Sequence, residues 1–240
     1  MNPRKTLVIR TSRWRAAILF ATSIGLLGGC AAGGGAAPAG EPLPDPSGAA
    51  AELVELTTPL ERRQITFQWT LDESGSRVRG RGVVRLEPPD RLRLDLFGPR
   101  NETVLAAALV GGEARLPAGA PDNAPIPSPA LLWAGLGVIH PPVGAVLRSV
   151  EAVGDDLVLR YAGADEERFE YTVTPAPESR LKQLQRIGPR GPMETVQLTW
   201  SAEGAVARAS YRDWAAYREL TLDVQEIVAA EPFSPSIWTP

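Results

Sequence analysis

The sequence predicts a mainly β protein in which one large antiparallel sheet curls into a barrel. From Ile65 onward most segments alternate apolar and polar side chains with a period of two, which is the pattern of a half-buried strand. Glycine- and proline-containing turns separate about ten such segments at short intervals. Only two segments have helical spacing, so helices form a small part of the fold.

The first helical segment covers residues 47–63 and precedes the first strand. Ser47 is a candidate N-cap, and Leu53, Leu56 and Leu60 recur at the spacing of one helix face. We therefore expect one amphipathic helix that ends before the alternating pattern begins.

The first two strands are predicted to form a hairpin around a turn at residues 74–76. Four arginines share one face of the second strand, namely Arg77, Arg79, Arg81 and Arg85. Such a row fits either a nucleic-acid surface or the solvated outer face of a sheet. Acidic residues on both sides of the strand favour the solvated face.

Two glycines on the opposite face of the second strand, Gly80 and Gly82, indicate sharp coiling or a bulge. Alternation resumes at Ala145 and goes on to the end of the chain. The elements in between are a turn at 88–90, a strand at 103–110, a hairpin to 113–116, a loop at 117–129 and a short apolar helix at 128–139, which His140 and two prolines end.

The first 29 residues have the organisation of a signal peptide and are left out of the fold. Five basic residues and no acidic one lie among residues 4–15, and an uncharged apolar run of 12 residues follows at 16–27. A transmembrane helix needs about 20 apolar residues. A short membrane anchor with an incidental cysteine is the alternative, but the apolar run stops where the cysteine motif begins.

Residues 27–30 (LGGC) contain Cys30, the only cysteine of the chain. They resemble the lipobox of bacterial lipoproteins, in which the cysteine carries a diacylglycerol and an N-linked acyl chain after cleavage before it. Because each buried methylene contributes about 0.8 kcal/mol, two or three acyl chains hold a protein on a bilayer. Ala31 stands where, in that class, an Asp favours inner-membrane retention. The resemblance thus implies the periplasmic face of the outer membrane of a Gram-negative bacterium, and no further cofactor.

The predicted domain organisation is a signal peptide at 1–29, a lipidated cysteine with a flexible tether at 30–46, and one β-barrel domain at 47–240. The tether is rich in Ala, Gly and Pro and has little apolar surface to pack. Without the five basic residues of the signal peptide, 20 basic residues face 28 acidic ones, a net charge of −8. This balance argues against a nucleic-acid partner.

Residues 82–109 (GVVRLEPPDRLRLDLFGPRNETVLAAAL) combine a strand, a proline-containing turn, a PDRLRLDL segment, a GP loop and an apolar strand. This order resembles the LolA/LolB-like superfamily of periplasmic lipoprotein carriers and outer-membrane lipoprotein receptors. The short helix with its Trp and Leu-Gly pair, at residues 131–137, is similar to a later segment of LolB. The resemblance covers about residues 52–233.

The resemblance implies an unclosed antiparallel β-barrel of about 11 strands, with the N-terminal helix and the short internal helix as lid or plug. In the superfamily the barrel cavity holds the acyl chains of lipoproteins, and a lipid-anchored member is closest in topology to LolB. The implied function is acyl-chain binding in lipoprotein sorting, insertion or related lipid transport. The implied partners are the membrane, acyl chains and a periplasmic LolA-like carrier, and we expect a monomer.

Inward-facing apolar residues are the candidates for the lining of such a cavity. They are Phe67, Trp69, Leu92, Leu94, Leu96, Leu132, Trp133 and Trp200. The same residues would equally serve as the packed core of a filled barrel. In that case the protein is a non-catalytic structural or assembly lipoprotein of the cell envelope.

The loop after the PDRLRLDL segment is a candidate membrane or cargo loop, formed by Phe97, Pro99 and Arg100. In LolB a protruding leucine in this loop helps to transfer cargo, and Arg100 occupies the matching position here. An arginine does not enter hydrocarbon cheaply, although its aliphatic stem can lie at an interface. Phe97 is the remaining candidate for an apolar contact.

The sequence offers little for catalysis, and we expect no enzyme. His140 is the only histidine, so a transition-metal site would need carboxylates alone, which is unusual for zinc. Paired carboxylates of a glycosidase are conceivable at residues 155–156 and 165–167. Both groups fall at turn positions, where acidic residues are common.

Overall fold

The computed structural model describes residues 40–119 and 127–240. The predicted signal peptide, Cys30 and the first part of the predicted tether lie outside these residues. The strands are β1 Glu41–Pro42, β2 Arg63–Glu73, β3 Ser76–Glu87, β4 Arg91–Phe97, β5 Thr103–Val110, β6 Glu113–Arg115, β7 Val146–Val153, β8 Asp156–Ala162, β9 Arg168–Val173, β10 Leu181–Gly188, β11 Gly191–Trp200, β12 Val206–Asp213 and β13 Arg218–Ala229. The helices are α1 Pro46–Thr57 and α2 Pro129–Ala134, and a 3-10 turn, Pro235–Trp238, follows the last strand.

All 13 strands belong to one antiparallel sheet, in the order β1-β7-β8-β9-β10-β11-β12-β13-β2-β3-β4-β5-β6. The terminal strands of this order, β1 and β6, do not pair with each other, so the sheet curls without closing. The predicted unclosed antiparallel barrel is therefore confirmed. The sheet has two strands more than expected, and both terminal strands are only two or three residues long.

Helix α1 begins and ends earlier than the sequence predicts. Its N-cap is Asp45 in place of Ser47, because the Asp45 carboxylate accepts a hydrogen bond from the amide of Gly48 at 2.9 Å. The helix ends at Thr57, and the Thr58 hydroxyl donates to the carbonyl of Val54 at 2.7 Å. The chain then has to reach the first long strand, which starts at Arg63.

The end of the predicted tether belongs to the folded domain. Glu41 and Pro42 pair with Ala152 and Glu151 of β7, and the amide of Leu43 donates to the carbonyl of Val150 at 3.0 Å. The boundary at residue 46 is thus corrected, and the domain includes Gly40. This short strand satisfies backbone groups at the edge of β7 that would otherwise face water.

The short helix α2 stands inside the curled sheet, against β10 and β11. Its side chains join two apolar clusters of the interior. Leu131 packs in the cluster formed by α1 and β7 to β12, whereas Trp133 packs in the cluster formed by β2 to β5. The predicted plug is therefore present, and it is shared by both walls of the barrel.

The arginine row of β3 lies on the outer face, where carboxylates neutralise part of it. Arg77 pairs with Asp72 at 2.8 Å, and Arg85 pairs with the buried Asp95 at 2.8 Å. The exposed Arg77–Asp72 pair agrees with the solvated outer face that the sequence favours, whereas the Arg85–Asp95 pair lies where Asp95 is buried.

Within the described residues, no helix combines the length and apolar character needed to cross a membrane.

Candidate functional site

An apolar cavity of about 140 Å³ lies between α2 and the inner faces of two groups of strands, β2 to β5 and β11 to β13. Side chains of strands reach it because every second residue of a strand points to the same face. Tyr211 and Arg218 are the polar side chains of its wall, and the other residues of the wall are apolar. The wall is formed by Trp69, Leu71, Val84, Leu92, Leu94, Leu96, Val104, Leu105, Pro127, Leu131, Leu132, Gly135, Leu136, Val196, Ala209, Tyr211, Arg218, Leu220 and Leu222.

Five of the eight candidate lining residues contribute to this cavity, and three do not. Trp69, Leu92, Leu94, Leu96 and Leu132 contribute to the wall of this cavity. Phe67 and Trp133 are buried in the adjoining core but do not line the cavity. Trp200 lines a different space at the other end of the sheet.

The ring of Trp69 forms part of the wall because its polar edge is satisfied elsewhere. The indole N–H donates to the carbonyls of Arg81 at 3.0 Å and Phe97 at 3.2 Å. Gly80 faces Trp69 across the β2–β3 pair and leaves room for the ring. The register runs through Gly80 and Gly82 without a shift, so the bulge that the sequence suggests is absent.

A second, wider cleft of about 850 Å³ opens at the opposite end of the sheet, beside the end of α1. Trp200 stands in its wall, with the indole N–H donating to the carbonyl of Leu181 at 2.8 Å and the guanidinium of Arg180 5.8 Å from its ring centre. Gly135 and Leu136, directly after α2, line both spaces. One turn of backbone therefore separates the apolar cavity from the cleft.

A buried polar cluster borders the apolar cavity. The Tyr211 hydroxyl donates to Glu194 at 2.5 Å, and Arg186 donates to the other oxygen of Glu194 at 2.6 Å and pairs with Glu167. Burial, and next the hydrogen bond to Glu194, raise the pKa of Tyr211, so its hydroxyl stays protonated.

The sequence analysis did not identify this cluster, although a signal for it exists. Glu194 has the same parity along β11 as Val196 and Trp200, so it occupies a position on the inward face. A carboxylate at such a position needs buried partners.

The candidate membrane loop connects β4 and β5 beside the apolar cavity, since Leu96 and Val104 on either side of it line the cavity wall. Pro99 and Arg100 are exposed at the loop tip, and the amide of Arg100 donates to Glu102 at 2.8 Å. Phe97 is half-buried and has the guanidinium of Arg81 5.9 Å from its ring centre. The ring therefore lies along the sheet and does not project from the loop.

The candidate catalytic groups do not come together. Asp155–Asp156 is at the β7–β8 turn, and residues 165–167 are at the β8–β9 turn, which is the opposite end of β8. The carbonyl of His140 accepts from the Tyr171 hydroxyl at 3.0 Å, and burial lowers the pKa of its ring. Within the described ranges no cluster of His, Cys, Asp and Glu is arranged to hold a metal ion.

Solved structures with the same architecture cover most of the chain. A LolA superfamily protein from Nitrosomonas europaea has a TM-score of 0.56 and 14% sequence identity, over 81% of this chain and 98% of that one. A putative outer membrane lipoprotein-sorting protein domain from Vibrio parahaemolyticus has a TM-score of 0.55 and 11% identity, over 79% and 94%. The chain has the LolA-like fold.

A DUF1329 family protein from Desulfovibrio piger is similar to the same extent, with a TM-score of 0.53 and 10% identity over 81% of this chain and 97% of that one. At these identities the likeness establishes the fold alone. No protein-family profile matches the sequence, and neither does any curated protein.

Proposed function

We propose that this protein binds acyl chains of lipids or lipoproteins in its apolar cavity and serves, without catalysis, in lipoprotein sorting or a related lipid transport step. The observation that carries the proposal is the cavity itself, a space beside a short internal helix whose wall is apolar except for Tyr211 and Arg218. An apolar cavity stays dry and favours an apolar guest. The LolA-like fold of the protein supports the same conclusion.

The size of the cavity shows what binding requires. A dry cavity of about 150 Å³ accepts a molecule the size of benzene, so the space of about 140 Å³ accepts only part of a long chain. The wider cleft begins on the far side of Gly135 and Leu136. A shift of this turn would join the two spaces, and we propose that a long acyl chain occupies the joined space.

The location follows from the proposed anchor. The motif at Cys30 supports a lipoprotein held by its acyl chains on the periplasmic face of the outer membrane, with the barrel domain in the periplasm. A periplasmic carrier of lipoproteins is the partner that this arrangement suits.

Occupancy of the cavity is tested with a fluorescent fatty acid and with native mass spectrometry of the chain that starts after Cys30. Ala209 is buried and lies in the cavity wall, so Ala209→Leu places additional methylene groups where the guest would lie. We expect this variant to weaken probe binding by about tenfold or more, because the guest loses its space.

The matched control is Ala202→Leu, which adds the same side chain on the exposed β11–β12 turn. It should bind the probe like the unmodified protein. Equal binding by both variants, or a ligand-free mass with no probe binding at all, contradicts the proposal.

The small volume of the cavity also favours a second candidate function. A barrel that stays filled would suit a structural or assembly lipoprotein of the cell envelope. This alternative predicts that Ala209→Leu and the unmodified protein both fail to bind the probe.

A further inference from the structure

The segment that follows β13, residues 230–240, packs against the outside of the sheet. Its 3-10 turn, Pro235–Trp238, contacts β4 and β5. The guanidinium of Arg93, on the outer face of β4, donates to the carbonyl of Ile237 at 2.6 Å. This segment, here called the C-terminal strap, is therefore fixed to the two strands that it crosses.

The indole of Trp238 anchors the C-terminal strap. It is only 5% exposed. The guanidinium of Arg91 lies 6.0 Å from the centre of its ring, and the ring of Phe233 meets it edge-on with 6.0 Å between the ring centres. A segment at the end of a domain stays in place only when contacts of this kind tie it down.

The C-terminal strap lies directly behind the wall of the apolar cavity. Asp95 and Ala108 belong to the outer face of β4 and β5, yet both are buried. Leu94 and Leu96, the neighbours of Asp95 in the chain, point to the other face and line the cavity. One layer of sheet therefore separates the strap from the space that a guest would occupy.

This part of the wall is the least supported part of the unclosed barrel. Within the described residues, β6 pairs only with residues 108–110 of β5, so the first part of β5 has β4 as its one neighbouring strand. The register of the β4–β5 pair also shifts near Val104, which leaves Val104 without a partner. A strand held on one side opens more easily than a central strand.

The cavity reaches the surface at the same strand. Val104 belongs to the cavity wall and is also 51% exposed. An outward movement of β5 at this position would open the cavity to a guest, and the C-terminal strap covers the side to which β5 would move.

We infer that the C-terminal strap, through Trp238, keeps β4 and β5 closed over the cavity and so slows the exchange of a guest past Val104. The inference rests on the proposed acyl-chain function for the identity of the guest. The strap itself lies on the outer side of the sheet and makes no contact with a guest. It should therefore change the rates of binding and release much more than the affinity.

The test measures exchange of a fluorescent fatty acid by stopped flow, with excess unlabelled palmitate as the competitor. It uses the chain that starts after Cys30, because residues 38–240 form a compact unit by themselves. Trp238→Ala should raise both the association and the dissociation rate by about tenfold and change the Kd by less than about twofold.

Trp238→Phe retains an aromatic ring beside Arg91 and should restore most of the slow exchange. It also provides the test if the alanine variant does not fold, because a smaller ring should still raise both rates measurably. Circular dichroism and urea denaturation establish that each variant is folded.

The matched control is Trp214→Ala, which removes the same side chain from the β12–β13 turn, outside the cavity wall. It should exchange the probe like the unmodified chain. The strap is refuted if the folded Trp238 variants exchange at the unmodified rate, or if Trp214→Ala accelerates exchange equally. A weaker affinity at an unchanged association rate would indicate a damaged cavity and would also refute it.

Hydrogen exchange tests the C-terminal strap without any guest, so the two proposals can fail separately. Trp238→Ala should lower the protection of amides in β4 and β5 and leave β11 to β13 unchanged. Unchanged protection in β4 and β5 contradicts the strap. Failure of the unmodified chain to bind the fatty acid contradicts the acyl-chain proposal instead.

Discussion

The indole ring of Trp69 lies directly over Gly80, its register partner on the neighbouring strand. A Cβ atom at Gly80 would stand 2.6 Å from the ring and closer still to the carbonyl oxygen of Phe97. That carbonyl also accepts a hydrogen bond from the indole. Because Gly80 has no side chain, the Trp69 ring can lie against the backbone, donate to the Phe97 carbonyl and form part of the cavity wall.

Gly80→Ala should lower the free energy of unfolding by about 3 kcal/mol, because backbone and ring must move apart to admit a methyl group. Urea denaturation followed by far-UV circular dichroism measures the change. Gly75→Ala is the control, since Gly75 has a positive φ but open space around it. A loss of only about 1 kcal/mol is expected there, and equal losses in the two variants would contradict the packing explanation.

Glu194→Ala should destabilise the protein by about 2–3 kcal/mol, because it leaves the Tyr211 hydroxyl and one side of Arg186 without a partner. Chemical denaturation gives the value. Arg212→Ala breaks an exposed pair with Glu219 and should cost under about 1 kcal/mol. The order of the two losses is the test, and a reversed order would refute the role of burial.

His140 predicts a pH dependence of stability near neutrality. Burial lowers the pKa of its ring below the ordinary value of 6.5, so the unfolded chain binds the proton more readily than the folded one. Stability contributed by the neutral ring is therefore complete above about pH 7 and declines as the pH falls below the unfolded value.

Urea midpoints measured from pH 7.5 down to about pH 5 should fall in the unmodified protein. In His140→Gln the fall should be smaller, and since the chain has no other histidine, no second imidazole complicates the comparison. Identical slopes for the two proteins would show that His140 does not titrate differently in the folded state.

Cys30→Ser should abolish incorporation of labelled palmitate and leave the signal peptide attached, because serine has no thiol to form the thioether. Metabolic labelling and the electrophoretic mobility of the product measure both effects. Labelling that persists in the variant would rule out Cys30 as the lipidated residue.

The strands could be predicted from the sequence because alternation with a period of two survives in almost every segment. Strand β1 could not, since Glu41 and Pro42 stand in a stretch of small residues and owe their conformation to pairing with β7. The end of α1 was also misplaced. Leu60 fits the helical spacing, but the helix has ended at Thr57.

Alternation predicts which face a side chain occupies but not how far along the barrel it lies. Trp69 and Trp200 both point inward, yet they line different spaces at opposite ends of the sheet. Phe67, only two residues before Trp69, is already in the packed core. The position of the cavity along the barrel depends on where α2 fills the interior. The alternating pattern of a strand does not indicate that position.

Leu131 and Trp133 of α2 pack into different walls of the barrel, β7 to β12 and β2 to β5 respectively. The six-residue helix therefore lies between the two walls and holds them apart. The sheet joins the two walls through the β13–β2 pair, and its terminal strands, β1 and β6, do not pair with each other on the open side. If α2 moves out of the interior, the two walls can move apart, with the β13–β2 pair as the hinge. Under the proposed acyl-chain function, the separation of the two walls would follow the thickness of the bound chain.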